Sequence, residues 1–593
     1  MAHKPHISDL DALRHSCAHL LAAAVIELYP KALRTIGPAI ENGFYYDFDN
    51  LHVSEKDFQK IEKKMHELVQ TWGGFNGVEV TVEEARKIFK DNPYKLELIE
   101  EFAGLGQKLT MYKSGNYMDL CRGGHDDKPF ETLKFFKLTK LAGAYWRGDE
   151  KNKMLTRIYG TCWPTQEELD HYLWQIEEAE KRDHRKIGRE LDLFTFSDLV
   201  GSGFPLYTPK GALIRRLLND YVENLQSAQG YQQVWTPQVA KGELFKISGH
   251  YDKYKDDMFE VKSHYSKEEF FLKPMNCPHH TQIYASRQRS YKDLPIRLTD
   301  FAMLYRDEKP GQLNGLARVR AFSTDDCHIF CTEDQVDAEI DTALKMTKEI
   351  MNTFGFKYRY RLSTRDPNNH DKYLGDPATW ERVEKWAVEI MRRNEINYFD
   401  APGEAAFYAP KMDLMATDAL GREWQLSTVQ IDFVQPSRFK LSYVDTDGSL
   451  KTPVMIHRAI LGSSERFMMV LLEHLAGNFP TWLAPILVVI LPIADRHNDY
   501  ASTVNRELES IGIRSQVDTR AETLGAKIRD AQNQKVPYMI VVGDKEIEAN
   551  RVAVRSRDFG DQGSMELEKF ISDISFQIKN KVLTLKAALT SNG

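Results

Sequence analysis

The stretch from Arg297 to Phe330, RLTDFAMLYRDEKPGQLNGLARVRAFSTDDCHIF, constrains the fold more than any other part of the chain, because two alternating runs flank a segment rich in turn-forming residues. Alternation with period two is the signature of strands, so the two runs are expected to pair as a hairpin with a long loop. Leu304 to Glu308 reads as strand, which points Arg306 and Glu308 to one face, while Pro310, Gly311 and Asn314-Gly315 supply the turn. Arg318 and Arg320 then share a face of the return strand. Arginines so placed suit a triphosphate, since each offers a permanent, bidentate charge that can offset developing charge on an α-phosphate, and a neighbouring glutamate can accept from an amine. Taken alone, an Arg-x-Glu pair reads as an exposed hairpin with solvated charges.

With 593 residues and 42% hydrophobic content the chain is long enough for several full cores. Ser8 and Asp11 form a capping-box-like start to a helix, DALRHSCAHLLAAAVIELY, that ends at Tyr29-Pro30. Pro164 opens a long charged helix that runs to about Gly188 and reads as a connector. From there to about Pro480 short strands and helices mix in a pattern that fits an antiparallel sheet flanked by helices. After Pro480 the pattern becomes strand-helix alternation (ILVVILP, a helix from Asn498 to Ile511, a strand near Arg514 to Asp518, a helix through Arg529, then PYMIVVG and VAVRSR), which predicts a parallel-type α/β unit. The expected division is therefore 1–163, 164–188, 189–480 and 481–593, an α+β multidomain chain, with Leu585 to Gly593 as a loose tail. A net charge of −7 argues against indiscriminate nucleic-acid binding and directs any RNA contact to local basic patches such as Glu180 to Arg189, EKRDHRKIGR. The start, MAHKPHISDL, has neither an apolar core nor an Arg-rich presequence, and the longest apolar run, Trp482 to Pro492, is too short to span a bilayer, so a cytoplasmic location without membrane attachment is expected.

Six cysteines in so long a chain do not make a disulfide framework, and in a reducing compartment they are free as thiols or ligands. Cys277, His328 and His457 are too far apart for any short metal-ligand spacing; by spacing alone Cys277 is a small buried hydrophobe and the histidines are core residues. His15 and His19 stand four apart on one helix face, and MDLCRGGH sets Cys121 and His125 four apart beside Gly123-Gly124. Spacing alone makes each pair ordinary.

In combination these segments resemble a known family. Arg297–Phe330 resembles the second signature motif of class II aminoacyl-tRNA synthetases, and HRAILGSSERF from His457 to Phe467 resembles the third, with Gly462, Glu465 and Arg466 in the family positions. Ala212 to Leu225, followed by GYQQVWTP ending at Pro237, fits the first motif, which in the family forms the dimer interface. KPMNCPHH at Lys273, AFYAPKMD at Ala406 and QLSTVQIDF at Gln425 are similar to the threonyl-specific branch of the class. The resemblance implies an antiparallel catalytic core, an α/β anticodon-binding domain and an N-terminal α+β editing domain. It further implies activation of L-threonine with ATP and Mg2+, transfer to tRNA(Thr), and one Zn2+ per subunit of a homodimer. Cys277, His328 and His457 take the zinc-ligand positions; Asp326 would hold the substrate ammonium, with Tyr408 and Gln430 completing the pocket. Arg306, Glu308, Arg318, Gln425 and Arg466 become ATP contacts, Lys411 meets the α-phosphate, and His250 assists transfer to the tRNA 3′ end. Thr324 departs from the family, where many members have glutamine.

A site that accepts a hydroxyl cannot well reject serine, which lacks only a methyl, a difference worth about 1 to 3 kcal/mol. HxxxH with CxxxH resembles the threonyl and alanyl editing domain, which assigns hydrolysis of a mischarged seryl ester to His15, His19, Cys121, His125 and Asp119. Gly124 stands where proline is common, and the same residue types also fit a metal site. Arg529, Glu546 and Arg555 match anticodon-reading positions, where unstacked bases offer polar edges; Ala521 replaces a frequent asparagine. The family's small N-terminal ubiquitin-like domain is expected to be absent. A noncatalytic RNA-binding paralogue, a prolyl- or seryl-type class II enzyme and a metal hydrolase acting through the N-terminal domain alone are the alternatives; against them stand Arg306, Arg318 and Arg466, the Cys277–His328–His457 set together with the editing pairs, and the other two thirds of the chain, in that order.

Overall fold

In the computed structural model, which describes residues 9–583, the chain forms two compact units, Met1–Glu177 and Glu178–Gly593. The division falls inside the helix Gln166–Arg182. The Ser8 cap and the tail from Leu585 lie outside the described residues. No helix among the described residues is long and apolar enough to cross a membrane.

The first unit is built on the helix Asp9–Leu28, whose alanines, leucines and Val25 are apolar nearly all round, so it is buried rather than amphipathic. It packs on a five-stranded antiparallel sheet in which Gly43–Asp49 lies between Leu33–Arg34 and Met154–Trp163, with Phe135–Tyr145 outside the latter. Leu20, Leu21, Phe44, Phe48, Ile61, Met65 and Ile158 fill that interface. A separate antiparallel sheet of Asn76–Val80, Leu109–Ser114 and Tyr117–Leu120 carries the segment that leads into Cys121.

The second unit holds an eight-stranded sheet in the order Gln232–Gln233, Ile296–Tyr305, Ala321–Cys331, Val454–Ala459, Glu423–Asp432, Lys411–Thr417, Lys357–Thr364, Tyr398–Pro402. Pairing is antiparallel except at the two edges. Helices Val336–Phe354 and Ser464–Leu475 cover one face, burying Ile340, Met351, Phe354, Phe467 and Leu471 against Val429 and Ile456. Pro209–Ala228 is one helix, started by Thr208 accepting from Gly211 N–H and by Pro209 in its first turn.

Three expectations need correction. The strand Ile296–Tyr305 stops before Arg306, and the return strand starts only at Ala321. Asp307 N–H turns away to Asp257 O and Glu308 N–H bonds back to Arg306 O, so Arg306, Glu308, Arg318 and Arg320 lie on loop backbone instead of sharing strand faces. The connector is two helices, Gln166–Arg182 and His184–Glu190, because Asp183 (ψ 117°) leaves helical space and its carboxylate caps Arg185 N–H. The C-terminal sheet is mixed: Ser515–Val517, Val488–Pro492 and Tyr538–Val542 run parallel, but Val552–Ser556, which follows the short helix Asp544–Ala549, and Gly560–Met565 return as antiparallel strands.

Candidate active site

Register builds the centre of the larger unit. Lys411 pairs with Gln430, Gln430 with His457, His457 with His328 and His328 with Leu298, so one row crosses five strands and presents its side chains to a single face. Residues distant in sequence are thereby neighbours. His328 Nε2 lies 3.1 Å from His457 Nδ1. His457 Nε2 sits 2.8 Å from an Asp432 oxygen, to which it donates, leaving Nδ1 with a lone pair toward the cluster. His328 Nδ1 contacts His280 Nδ1 at 2.8 Å, which fixes that ring with Nε2 inward. Cys277 opens the helix Cys277–Ala285, and its Sγ with one nitrogen of each histidine forms a set of three donor atoms all within 4.8 Å of one another. One sulfur and two imidazole nitrogens, buried and oriented by outer partners, fit a metal of zinc's preference with a position to spare. Asp432 and His280 were not singled out from the sequence; strand pairing brings Asp432, and the helix Cys277–Ala285 brings His280, against the two ligand histidines.

Around this set stand Asp326, whose Oδ1 is 3.7 Å from His328 Nε2, and Tyr408, whose ring centre is 4.9 Å from that of His457. Gln430 Oε1 is buried and has no hydrogen-bond partner among the described residues, as expected of a group awaiting a ligand. Ser248 spends its hydroxyl hydrogen on Phe245 O, so its oxygen accepts from His250 Nδ1 at 2.8 Å. That assigns His250 the tautomer with a free Nε2, 3.8 Å from Cys277 Sγ. Burial pushes the His250 imidazole down to about 3, which keeps it neutral with a lone pair at Nε2.

The loop arginines converge beside this face. Burial lowers Arg466 from its ordinary value, and nearby Arg306 and Arg318 lower it further, against which only Glu308 works. Arg466 Nε donates to Ala317 O at 3.3 Å, and Arg318 Nε lies 3.2 Å from Glu308. Three guanidiniums with one carboxylate leave an unbalanced positive site of the kind that binds polyphosphate. Asp325, another residue not singled out, is fully buried and accepts the N–H groups of Ile460, Leu461 and Gly462, which shapes the turn ahead of Arg466. Lys411 Nζ is 3.4 Å from Asp413. Gln425 is committed elsewhere, its amide bridging Arg361 and Asp413 at 2.9 Å each.

In the smaller unit His15, His19, Cys121 and His125 gather with their donor atoms within 4.8 Å of one another. Cys121 Sγ lies 3.5 Å from His15 Nε2 and 3.3 Å from His125 Nε2, and Phe75 stacks on His125 with centres 4.0 Å apart. Gly124 has φ +80° and its carbonyl meets His15 Nδ1 at 3.3 Å; a proline there, locked near −65°, could not make this turn. Burial pushes His125 down to about 3, helped by His15, and raises Cys121 to about 11. Burial disfavours the charged form of all three imidazoles and of the thiol. Asp119 stands outside the cluster as the hub of a buried network: its carboxylate takes Lys95 Nζ at 2.8 Å, Arg34 Nε at 3.3 Å, Tyr46 OH at 2.6 Å and Tyr117 OH at 2.9 Å. Both tyrosines pack edge-on to His19. Lys95, also not singled out, is as buried as its partner.

In the C-terminal sheet Arg529 is exposed on the helix Leu524–Asn533, Glu546 accepts Gly543 N–H at the start of its own helix, and Arg555 Nε is buried without a partner among the described residues. The basic stretch at Glu180 is open only in part: Lys181, Lys186 and Arg189 are exposed, while His184 is buried, Arg182 donates to the carbonyls of Glu473 and His474, and Arg185 pairs with Asp183.

Residues 259–475 match the family described as tRNA synthetase class II core domain (G, H, P, S and T), residues 487–577 the anticodon binding domain, and residues 109–159 the threonyl and alanyl tRNA synthetase second additional domain. The threonine–tRNA ligase of Rubrobacter xylanophilus is 48% identical over 573 residues, covering 96% of this chain and 89% of the relative. That of Thermotoga maritima is 45% identical over 584 residues, covering 98% and 89%. Among solved structures, the RNA binding domain of threonyl-tRNA synthetase from Cryptosporidium parvum Iowa II is 38% identical with a TM-score of 0.64, covering 68% of this chain and 99% of that one.

Proposed function

From the premise that this chain belongs to the threonine–tRNA ligase family of class II synthetases, we infer that it activates L-threonine with ATP, transfers it to the 3′ end of tRNA(Thr), and hydrolyses seryl-tRNA(Thr) formed in error. The observation that supports the reading is the row Lys411–Gln430–His457–His328, which sets Lys411 and Gln430 on the same sheet face as two members of the three-donor cluster.

Cys277, His328 and His457 would hold one zinc ion, which when bound supplies an open coordination position suited to the amine and hydroxyl of threonine and ill suited to valine. Asp326 receives the substrate ammonium, and Tyr408 and Gln430 close the pocket, the unpartnered Gln430 Oε1 accepting from the ligand. The threonine carboxylate attacks the α-phosphorus and pyrophosphate leaves with Mg2+. Arg306 and Arg466 carry the charge that develops there, Arg318 takes the γ-phosphate, Glu308 the adenine amine, and Lys411 the α-phosphate. In the second step the terminal ribose hydroxyl attacks the threonyl carbonyl, the bond from that carbon to the phosphate oxygen breaks and AMP leaves; neutral His250, held by Ser248 at Nδ1, takes the hydroxyl proton. For editing, His15, His19, Cys121 and His125 bind and orient a water against the seryl ester, with Asp119 acting at one remove through the tyrosines. Arg529, Glu546 and Arg555 are proposed for the anticodon, and Gln425 for a contact near the nucleotide reached by releasing Arg361.

We place the dimer contact at the element around Gln232–Gln233, where Trp235 is 78% exposed, an apolar area that a twofold partner would cover. All six cysteines are free thiols, in keeping with the reducing cytoplasm. The test uses the full chain: threonine-dependent ATP–pyrophosphate exchange and charging of a tRNA(Thr) transcript, with deacylation of seryl-tRNA(Thr) lost in Cys121→Ala while charging persists. A chain that binds the transcript yet supports no exchange would be a noncatalytic RNA-binding relative.

A further inference from the structure

Asp183, His184 and Glu473 form a third group of close donor atoms, but hydrogen bonds already occupy the imidazole at both nitrogens. Leu316 N–H can only donate, so at 3.0 Å His184 Nε2 must accept. Nδ1 therefore carries the hydrogen and donates to Glu473 Oε1 at 2.7 Å, an oxygen that also takes His184 N–H at 3.2 Å. Arg422 holds the other Glu473 oxygen, and the imidazole keeps no lone pair for a metal. The arrangement is a clamp.

What it clamps is the loop that carries the arginines. Gly315 has φ +46°, and a Cβ there would lie 2.0 Å from His184 Nε2, so the backbone rests directly on the ring. Leu316 follows and is fully buried. One residue on, Ala317 O receives Arg466 Nε, and the next residue is Arg318. Glu473 itself lies in the helix Ser464–Leu475, which begins two residues before Arg466. His184 thus ties the loop to the helix that supplies its partner arginine.

We propose that His184 is a positioning residue for ATP: by accepting Leu316 N–H it fixes the loop so that Arg318 and Arg466 face one phosphate chain. This rests on the proposed ATP roles of those arginines. His184→Asn keeps a donor toward Glu473 but leaves Leu316 N–H buried and unpaired; His184→Gln keeps an acceptor at the Nε2 distance and gives up the Glu473 contact. In pyrophosphate exchange with the full chain, His184→Asn is expected to lower kcat/KM for ATP by about tenfold, the scale of one orphaned buried N–H, through KM for ATP, with KM for threonine within about twofold. His184→Gln should stay within about threefold of wild type on both. Equal losses in the two variants, losses shared by ATP and threonine in step with a lowered Tm, or a His184→Asn variant equal to wild type would overturn the proposal. If His184→Asn does not fold, Gly315→Ala, whose Cβ would press on His184 Nε2 and part it from Leu316 N–H, should show the same ATP-selective loss, and a wild-type KM for ATP there would overturn it. Absence of exchange in the wild type would instead defeat the reading on which it rests.

Discussion

Asp119→Asn removes one charge and almost no volume, which makes it a clean probe of the network behind the smaller unit's cluster. The carboxylate is fully buried and 2.8 Å from Lys95 Nζ, itself 2% exposed. At an effective dielectric constant of about 20 that contact is a gross attraction of about 6 kcal/mol, most of which offsets the cost of burying both ions. Taking away one partner leaves Lys95 buried beside the cationic Arg34, and the net loss expected for such a break is about 3 to 5 kcal/mol. For a unit running from Met1 to Glu177 this lowers the midpoint by about 6 to 20 °C, at about 2 to 4 °C per kcal/mol. Scanning calorimetry of the full chain measures it, with amide exchange in the helix Asp9–Leu28 assigning the transition to this unit. Seryl-tRNA hydrolysis should fall as well, because the amide keeps one acceptor oxygen where the carboxylate gave two, so Tyr46 and Tyr117, set against His19, must share it with Lys95 and Arg34. The pH dependence has a definite sign. Burial raises the Asp119 carboxyl, but Lys95 and Arg34 outweigh it and hold the group well below the usual carboxylate range. A depressed native value gives stability that is present above the unfolded value of about 3.9 and lost as pH falls through the native one. Wild type and variant should therefore converge only below about pH 4. A midpoint within about 2 °C of wild type at pH 7 would refute the buried-pair argument; Lys95→Met in the Asp119→Asn background, by removing the stranded ammonium, should recover part of the loss.

Two further outcomes follow from the larger unit. Arg466→Ala removes one of three converging cations and should cut threonine-dependent exchange by about 100- to 1,000-fold with little change in Tm, measured at saturating ATP. Asp432→Asn leaves His457 without the anion that orients its Nε2–H, so zinc affinity should drop about 10- to 100-fold in a chelator competition, with the fold retained.

Local chemistry made much of the fold legible. The helix Asp9–Leu28 follows from a long, largely apolar run with no Gly or Pro to break it, and the pair of strands either side of the loop follows from alternation and turn residues. The strand ends did not, because Arg306 and Arg320 continue the alternation while the backbone leaves the ladder for Asp257 and Gly203. The break at Asp183 was hidden for a similar reason: the flanking residues are all tolerable in helix, and what stops it is a side-chain cap plus the pull of Glu473 on His184. The C-terminal unit alternates strand and helix at first, and nothing in VAVRSR distinguishes an antiparallel return from a parallel strand. At the site, motif spacing pointed to Arg306, Arg466 and the Cys277, His328 and His457 set. It could not point to Asp432, His280, Asp325 or Lys95, because these act through pairings of strands and helices far apart in the chain, and each is a plain polar residue in its own segment.

The most direct test of the account compares wild type with Cys277→Ala for bound zinc and for ATP–pyrophosphate exchange with threonine, valine and serine. The account expects one zinc per chain, exchange with threonine, a weaker response to serine and almost none to valine, and loss of both metal and threonine exchange in the variant. Threonine exchange that persists in a zinc-free Cys277→Ala protein, or equal exchange with valine in the wild type, would contradict it.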